Sequence, residues 1–155
     1  MRANKIKRRA PVKLCDCGMA AATQILSDKW TLLIIREAFY GVVRFDDIRK
    51  DIGIPKAVLS NRLKKLVEQG ILQKVTYQLE GERTRSGYVL TGKGRDLTLV
   101  FVAMMDWGNK HCLDGKSAVT ILDKNDLQTL KLGLIGEKDF AQIRGLEDIH
   151  IRLKL

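Results

Sequence analysis

A mostly helical α+β domain is the fold class this sequence predicts, on three observations. Apolar residues recur at helical spacing through most of residues 19–69, interrupted by cap and breaker residues. Across residues 71–91, β-branched and aromatic residues alternate in part with polar ones on either side of a charged tip, the pattern of a hairpin. After it, apolar residues return at helical spacing over a wide arc as far as Cys112.

The elements follow in order. "MAAATQILSD" predicts a short helix burying Met19, Ala22, Ile25 and Leu26. Asp28 suits the N-cap of "KWTLLIIREAFYG", which directs Trp30, Leu33, Ile34 and Ala38 to the core and closes at Gly41. "RFDDIRKDIG" predicts a third, short helix with acidic residues in its first turn and basic ones in its last, matching the macrodipole. Gly53 breaks the chain, and Pro55 suits the first turn of a fourth helix that runs to about Gln69 and stops at Gly70. "ILQKVTYQLEG" and "RSGYVLT" then form two strands joined by a charged tip. Thr91 can cap one long final helix reaching His111. That helix has Leu97, Phe101 and Met104 on one side and Val100, Ala103 and Trp107 on another. So wide an apolar arc needs two partners, its own domain and a second copy of the chain.

A compact trio of helices, a fourth with a polar face and a two-stranded ribbon together describe a winged helix-turn-helix with a β wing and terminal dimerisation helices. Residues 1–14 form a basic arm, 15–112 the winged-helix DNA-binding and dimerisation domain, and 113–155 an extension whose role the sequence leaves open.

Charge narrows the function. The chain of 155 residues carries +10, yet residues 113–155 balance seven basic against seven acidic side chains. The excess therefore lies in residues 1–112, with six charges in "MRANKIKRRAPVK" alone. A basic arm on a basic domain points to a polyanion, double-stranded DNA ahead of a membrane surface. The longest apolar run, "LTLVFVAMM", falls far short of the roughly 20 residues that span a bilayer. No apolar signal-peptide segment follows the basic start, so a cytoplasmic protein with no membrane partner is expected.

The fourth helix carries the sharpest signal. Leu59, Leu63, Leu66 and Val67 form its apolar stripe, while Lys56, Ala57, Ser60, Asn61 and Lys64 occupy the other side. A helix entering the major groove needs small or hydrogen-bonding side chains toward its start, which Ala57, Ser60 and Asn61 supply. Lys56, Lys64 and Lys65 can flank it on phosphates, and Arg62 can reach the backbone from the side. At the wing tip, residues 80–87, Arg83, Thr84 and Arg85 can contact the minor groove or its phosphates.

The ordered set "ILSDKWTLLIIREAFYGVVRFDDIRKDI", "LSNRLKKLVEQGIL" and "YVLTGKGRDL...WGNKH" resembles the HxlR family of bacterial transcriptional regulators, dimeric winged-helix proteins related to the MarR group. The resemblance covers roughly Cys15 to Cys112 and rests on Lys29-Trp30, Arg44-Phe45, "LSNRL", "YVLT" and Trp107-Gly108. It implies that the helix from 55 to 69 is the recognition helix, that Arg44 joins the DNA-contacting set, and that Leu97, Val100, Phe101, Met104 and Trp107 build the dimer. Two positions depart from the family pattern. Pro55-Lys56-Ala57 replaces a common Ser-Pro-Lys and removes the usual N-cap. Gly87 replaces an acidic residue before the strand tyrosine, which is expected to loosen the wing.

Cys15, Cys17 and Cys112 make an odd count with no secretion signal, which argues against a disulfide framework. Many family members carry a cysteine thirteen positions before the helix-two tryptophan, where Cys17 stands, and there it often senses electrophiles or oxidants. By that resemblance Cys17, with Cys15 beside it, is the candidate sensor; nearby basic charge favours thiolate and Asp16 opposes it. A ligand pocket between dimer helices is the alternative mode of regulation. Cys15, Cys17, His111 and Cys112 can also be combined into a zinc site, but the C-x-C and His-Cys spacings are tight for a tetrahedron. No metal or cofactor is expected. A thiol oxidoreductase is the competing enzyme reading, disfavoured because no C-x-x-C, nucleotide-binding glycine loop or Ser/His/Asp set is present. A charge-driven architectural or RNA-binding protein is the third class. The alternation in "DIHIRLKL" suggests a closing strand.

Overall fold

The computed structural model describes residues 12–78, 84–133 and 149–153. A short 3-10 turn at Leu14–Asp16 leads into α1 (Gly18–Leu26), then α2 (Lys29–Phe39), α3 (Phe45–Ile52) and α4 (Lys56–Glu68). The wing pairs β1 (Leu72–Tyr77) antiparallel with β2 (Arg85–Leu90), from Leu72 opposite Leu90 to Tyr77 opposite Arg85.

Asp28 caps α2 as its sequence position predicts, accepting from the Trp30 and Thr31 amides and from the Thr31 hydroxyl at 2.7 Å. Helix α2 meets α1, α3, α4 and β2, and burial on several sides widens its apolar arc. Ile34 and Ile35 are therefore both fully buried, and Trp30 and Ala38 pack against them, whereas Leu33 is only half-buried. In α1 only Ile25 and Leu26 reach the core; Met19 and Ala22, expected inside, are exposed.

The turn between α3 and α4 needs Gly53, whose φ of 65° lies in the left-handed region. Pro55 precedes α4 as its N-cap instead of entering the first turn, and its carbonyl accepts the Leu59 amide at 3.0 Å. Leu59, Leu63 and Leu66 sink into the core as the stripe predicts, with Val67 at its edge.

Two glycines fix the wing against the helices. Gly87 is buried, and an added Cβ would stand 3.1 Å from the Val43 carbonyl and 3.2 Å from the Tyr77 ring. Its lack of a side chain lets the Val43–Arg44 segment lie along β2, with the Tyr88 amide donating to Val43 O at 2.9 Å. The expectation of a loosened wing is thus reversed, since Gly87 permits a third backbone pairing.

Gly94 does the same on the other side, where a Cβ would fall 2.3 Å from Ile71 O. This approach and the Thr91 cap, which accepts from the Gly94 amide at 3.1 Å, set a separate short helix, α5 (Gly92–Arg95). A turn at Asp96–Leu97 then starts α6 (Thr98–Cys112), so the single long helix of the sequence reading is two.

Beyond α6, β3 (Val119–Asp123) pairs antiparallel with β4 (Ile149–Leu153), the strand expected from "DIHIRLKL". Thr129 bridges to Leu122, and Leu130 donates to Ile121 O at 2.9 Å, so the chain folds back along β3. Among the described residues no helix is long and apolar enough to cross a membrane.

Candidate nucleic-acid interface

Helix α4 is held by its leucine stripe, which turns Lys56, Ala57, Ser60, Asn61, Lys64 and Lys65 outward, all exposed. Ser60 and Asn61 have no protein partner among the described residues, so their hydrogen-bonding groups face solvent. Lys64 lies 3.8 Å from Glu68 one turn on, an exposed pair that holds the ammonium only weakly. No side chain caps α4, and the amides of its first turn stay open at the end where the helix dipole favours an anion.

Arg62 is placed differently from the sequence expectation. Its guanidinium pairs with Asp28 at 3.3 Å, with only 28% of the side chain exposed. Burial works to raise the Asp28 pKa, but the Thr31 hydroxyl and amide, the Arg62 charge and the Trp30 amide outweigh it, leaving the carboxyl below its ordinary 3.8. Arg62 therefore ties α4 to the start of α2.

Arg44 stands at the junction of α3 and the wing. It precedes α3, pairs with Asp47 at 3.4 Å and lies 5.9 Å over the Tyr77 ring. Tyr77 is itself the cross-strand partner of Arg85, so one ring sits beside two arginines on the same face of the wing. Tyr77 was missed by sequence reasoning; only the strand register reveals it. Thr84 and Arg85 are exposed, the Thr84 hydroxyl donating to Gln78 Oε1 at 3.4 Å. Arg83 lies outside the described residues.

Helix α6 divides its apolar side chains. Phe101 is buried with its ring 5.1 Å from Phe39, and Leu97 packs on the same core, so both serve this chain's interior. Val100, Met104 and Trp107 are exposed, as is Leu99, and these remain available to a second chain. Cys15 and Cys112 are exposed thiols and Cys17 is half-buried at the N-cap of α1. Cys15, Cys17, His111 and Cys112 do not gather: among the described residues no three or more His, Cys, Asp or Glu side chains stand where they could hold a metal.

Three helices, a fourth with an outward polar face and an antiparallel wing are the winged-helix arrangement, and the HxlR-like helix-turn-helix family model matches residues 25–116. The chain belongs to the HxlR-like helix-turn-helix family. It is 44% identical over 94 residues to the uncharacterized HTH-type transcriptional regulator Rv3095 of Mycobacterium tuberculosis, a match covering 61% of this chain and 58% of that protein. The chain thus spans less than two thirds of that relative. A more distant relative is the uncharacterized HTH-type transcriptional regulator sll1512 of Synechocystis, 30% identical over 94 residues, covering 60% of this chain and 68% of the other.

Among solved structures, PA1607, assigned as a transcription factor, superposes with a TM-score of 0.70 at 30% identity, covering 79% of this chain and 86% of its own. That likeness reaches beyond the family segment. The reduced form of the transcriptional regulator YodB from B. subtilis matches with a TM-score of 0.53 at 30% identity, covering 64% of this chain and 98% of its own. These named relatives are transcriptional regulators, and the thiol-enzyme reading has no counterpart among them.

Proposed function

We propose that this chain is a dimeric, sequence-specific DNA-binding regulator of transcription. The exposed face of α4 carries the reading: Ser60 and Asn61 stand unpartnered beside the small Ala57, between lysines at both ends. In this reading α4 enters the major groove. Asn61 has the donor and acceptor for a bidentate contact to adenine, and Ser60 and Ala57 let the helix approach closely. Lys56, Lys64, Lys65 and the uncapped amides of the first turn meet phosphates.

Arg44 and Arg85, flanking Tyr77, and Thr84 with Arg83 at the wing tip follow the backbone or the adjacent minor groove. Arg62 supports the reader from behind through Asp28 and makes no contact of its own. The apolar face of Val100, Met104 and Trp107 would pair with that of a second copy, placing two α4 helices on the half-sites of an inverted repeat.

The test is fluorescence anisotropy of the reduced full chain on the duplex upstream of its own gene and on a shuffled duplex, titrated across salt. A preference for the native duplex that persists at physiological salt supports the reading. Equal binding erased by salt reduces it to charge without readout, and no binding at low salt rejects it.

A second reading, regulation by electrophiles or oxidants, is supported by the accessible thiol of Cys15 and by Cys17 at the start of α1, two residues away. The accompanying result is a change of operator affinity on diamide treatment that Cys17→Ser abolishes. An equal change in that variant rejects Cys17 as the sensor.

A further inference from the structure

The extension and α6 border a half-open space that the DNA-binding reading does not use. A cavity of about 240 Å³ lies between α6 and β3, walled by Val102, Met105, Ile121 and Leu130, with Asp106 and Asn109 among its polar lining. Ser117 also lines it, but its hydroxyl is consumed locally, accepting the Val119 amide at 3.0 Å and donating to Val119 O at 2.9 Å. The side chains of Asp106 and Asn109 have no protein partner among the described residues, and Asp106 is the only charged residue in the described lining. The lining is mixed, apolar side chains standing beside unpaired polar groups, in a space smaller than most small-molecule sites, which suits only a small ligand.

The polar groups also select a sign of charge. Asp106 supplies a carboxylate, and the Asn109 amide beside it can accept a second hydrogen bond. Asn109 lies in the last turn of α6, whose carbonyl end favours a cation, and Asp106 stands one turn before it. Helical periodicity puts Val102, Met105, Asp106 and Asn109 about half a turn round α6 from Val100, Met104 and Trp107. The cavity therefore lies away from the exposed apolar face of the same helix and stays open if that face is covered.

We propose that this cavity is a binding site for a small amphipathic amine, its ammonium on Asp106 and Asn109 and its apolar body against Val102, Met105, Ile121 and Leu130. Occupation would tie the extension to α6.

The experiment titrates the labelled full chain with benzylamine, benzyl alcohol and benzoate and follows backbone amide resonances. Benzylamine is expected to give saturable shifts confined to Asn109, Gly115 and the β3 segment, with benzyl alcohol and benzoate weaker. Asp106→Asn, at an exposed position that leaves folding intact, should weaken benzylamine about fivefold, the effect of a partly solvated charge. Unsaturable or scattered shifts overturn the site. Equal affinity for the three probes, or for the variant, overturns the amine selectivity. No DNA enters the measurement, so its result is independent of the function proposed for α4.

Discussion

The winged domain and the C-terminal extension are held by different means. In the domain, Ile34, Ile35, Ile48, Leu59, Leu63 and Leu66 are 0–1% exposed, and four helices and a wing share them. Between Leu113 and Gly133 only Leu122 and Asp123 are buried, and backbone pairing joins β3 to β4 and to the Thr129–Leu130 segment. A two-stranded sheet is marginal alone, so the β3–β4 pair gains from the surface it covers. One region is a core that holds a polar helix face outward, and the other borders a cavity.

The comparison breaks first at the leucine stripe. Leu63→Ala should cost about 2–5 kcal/mol in denaturant unfolding of the whole domain. Leu122→Ala should cost less and leave the domain transition in place; equal losses would mean that the two regions share one core.

Gly94→Ala should follow at about 1–3 kcal/mol, because its Cβ has no room before Ile71 O. A thermal melt unchanged by this substitution would show that α5 can move away from β1 freely.

Asp28→Ala should cost about 1 kcal/mol near neutral pH through the lost cap and the released Arg62. The folded carboxyl is depressed, so its stabilising effect is present above its ordinary pKa of 3.8 and lost as pH falls through the folded value. The gap between wild type and variant should therefore narrow below pH 3.8 in melts across acid pH. A constant gap would leave the cap without its charge contribution.

The smallest effect expected is that of Arg85→Ala: weaker binding to all DNA sequences and a salt slope shallower by about one, read from anisotropy across salt. A change in sequence preference instead would make the wing a reader of bases.

Much of the winged domain was legible because its signals are local. The α4 leucine stripe, the Asp28 cap and the strand alternation each lie within a few residues of one another. What was misread depends on distant partners. Gly87 is expected to loosen the wing until Val43 is seen beside it, and the tie from Arg62 to Asp28 joins helices far apart in the sequence. Thr91 was recognised as a cap, but the end of its helix at Arg95 depends on Ile71. Met19 follows a helical apolar pattern yet is exposed. The extension was nearly silent because its order is pairing between strands far apart in the chain, of which only β4 has a local signature.

The central claim is that the outward face of α4 reads bases, and Asn61→Ala tests it most directly. The measurement is the ratio of affinities for native and shuffled duplexes, wild type against variant, at one physiological salt concentration. The variant should lose about 1–3 kcal/mol of preference for the native duplex while its affinity for the shuffled one stays nearly unchanged. An unchanged ratio would contradict it and remove α4 as the recognition helix.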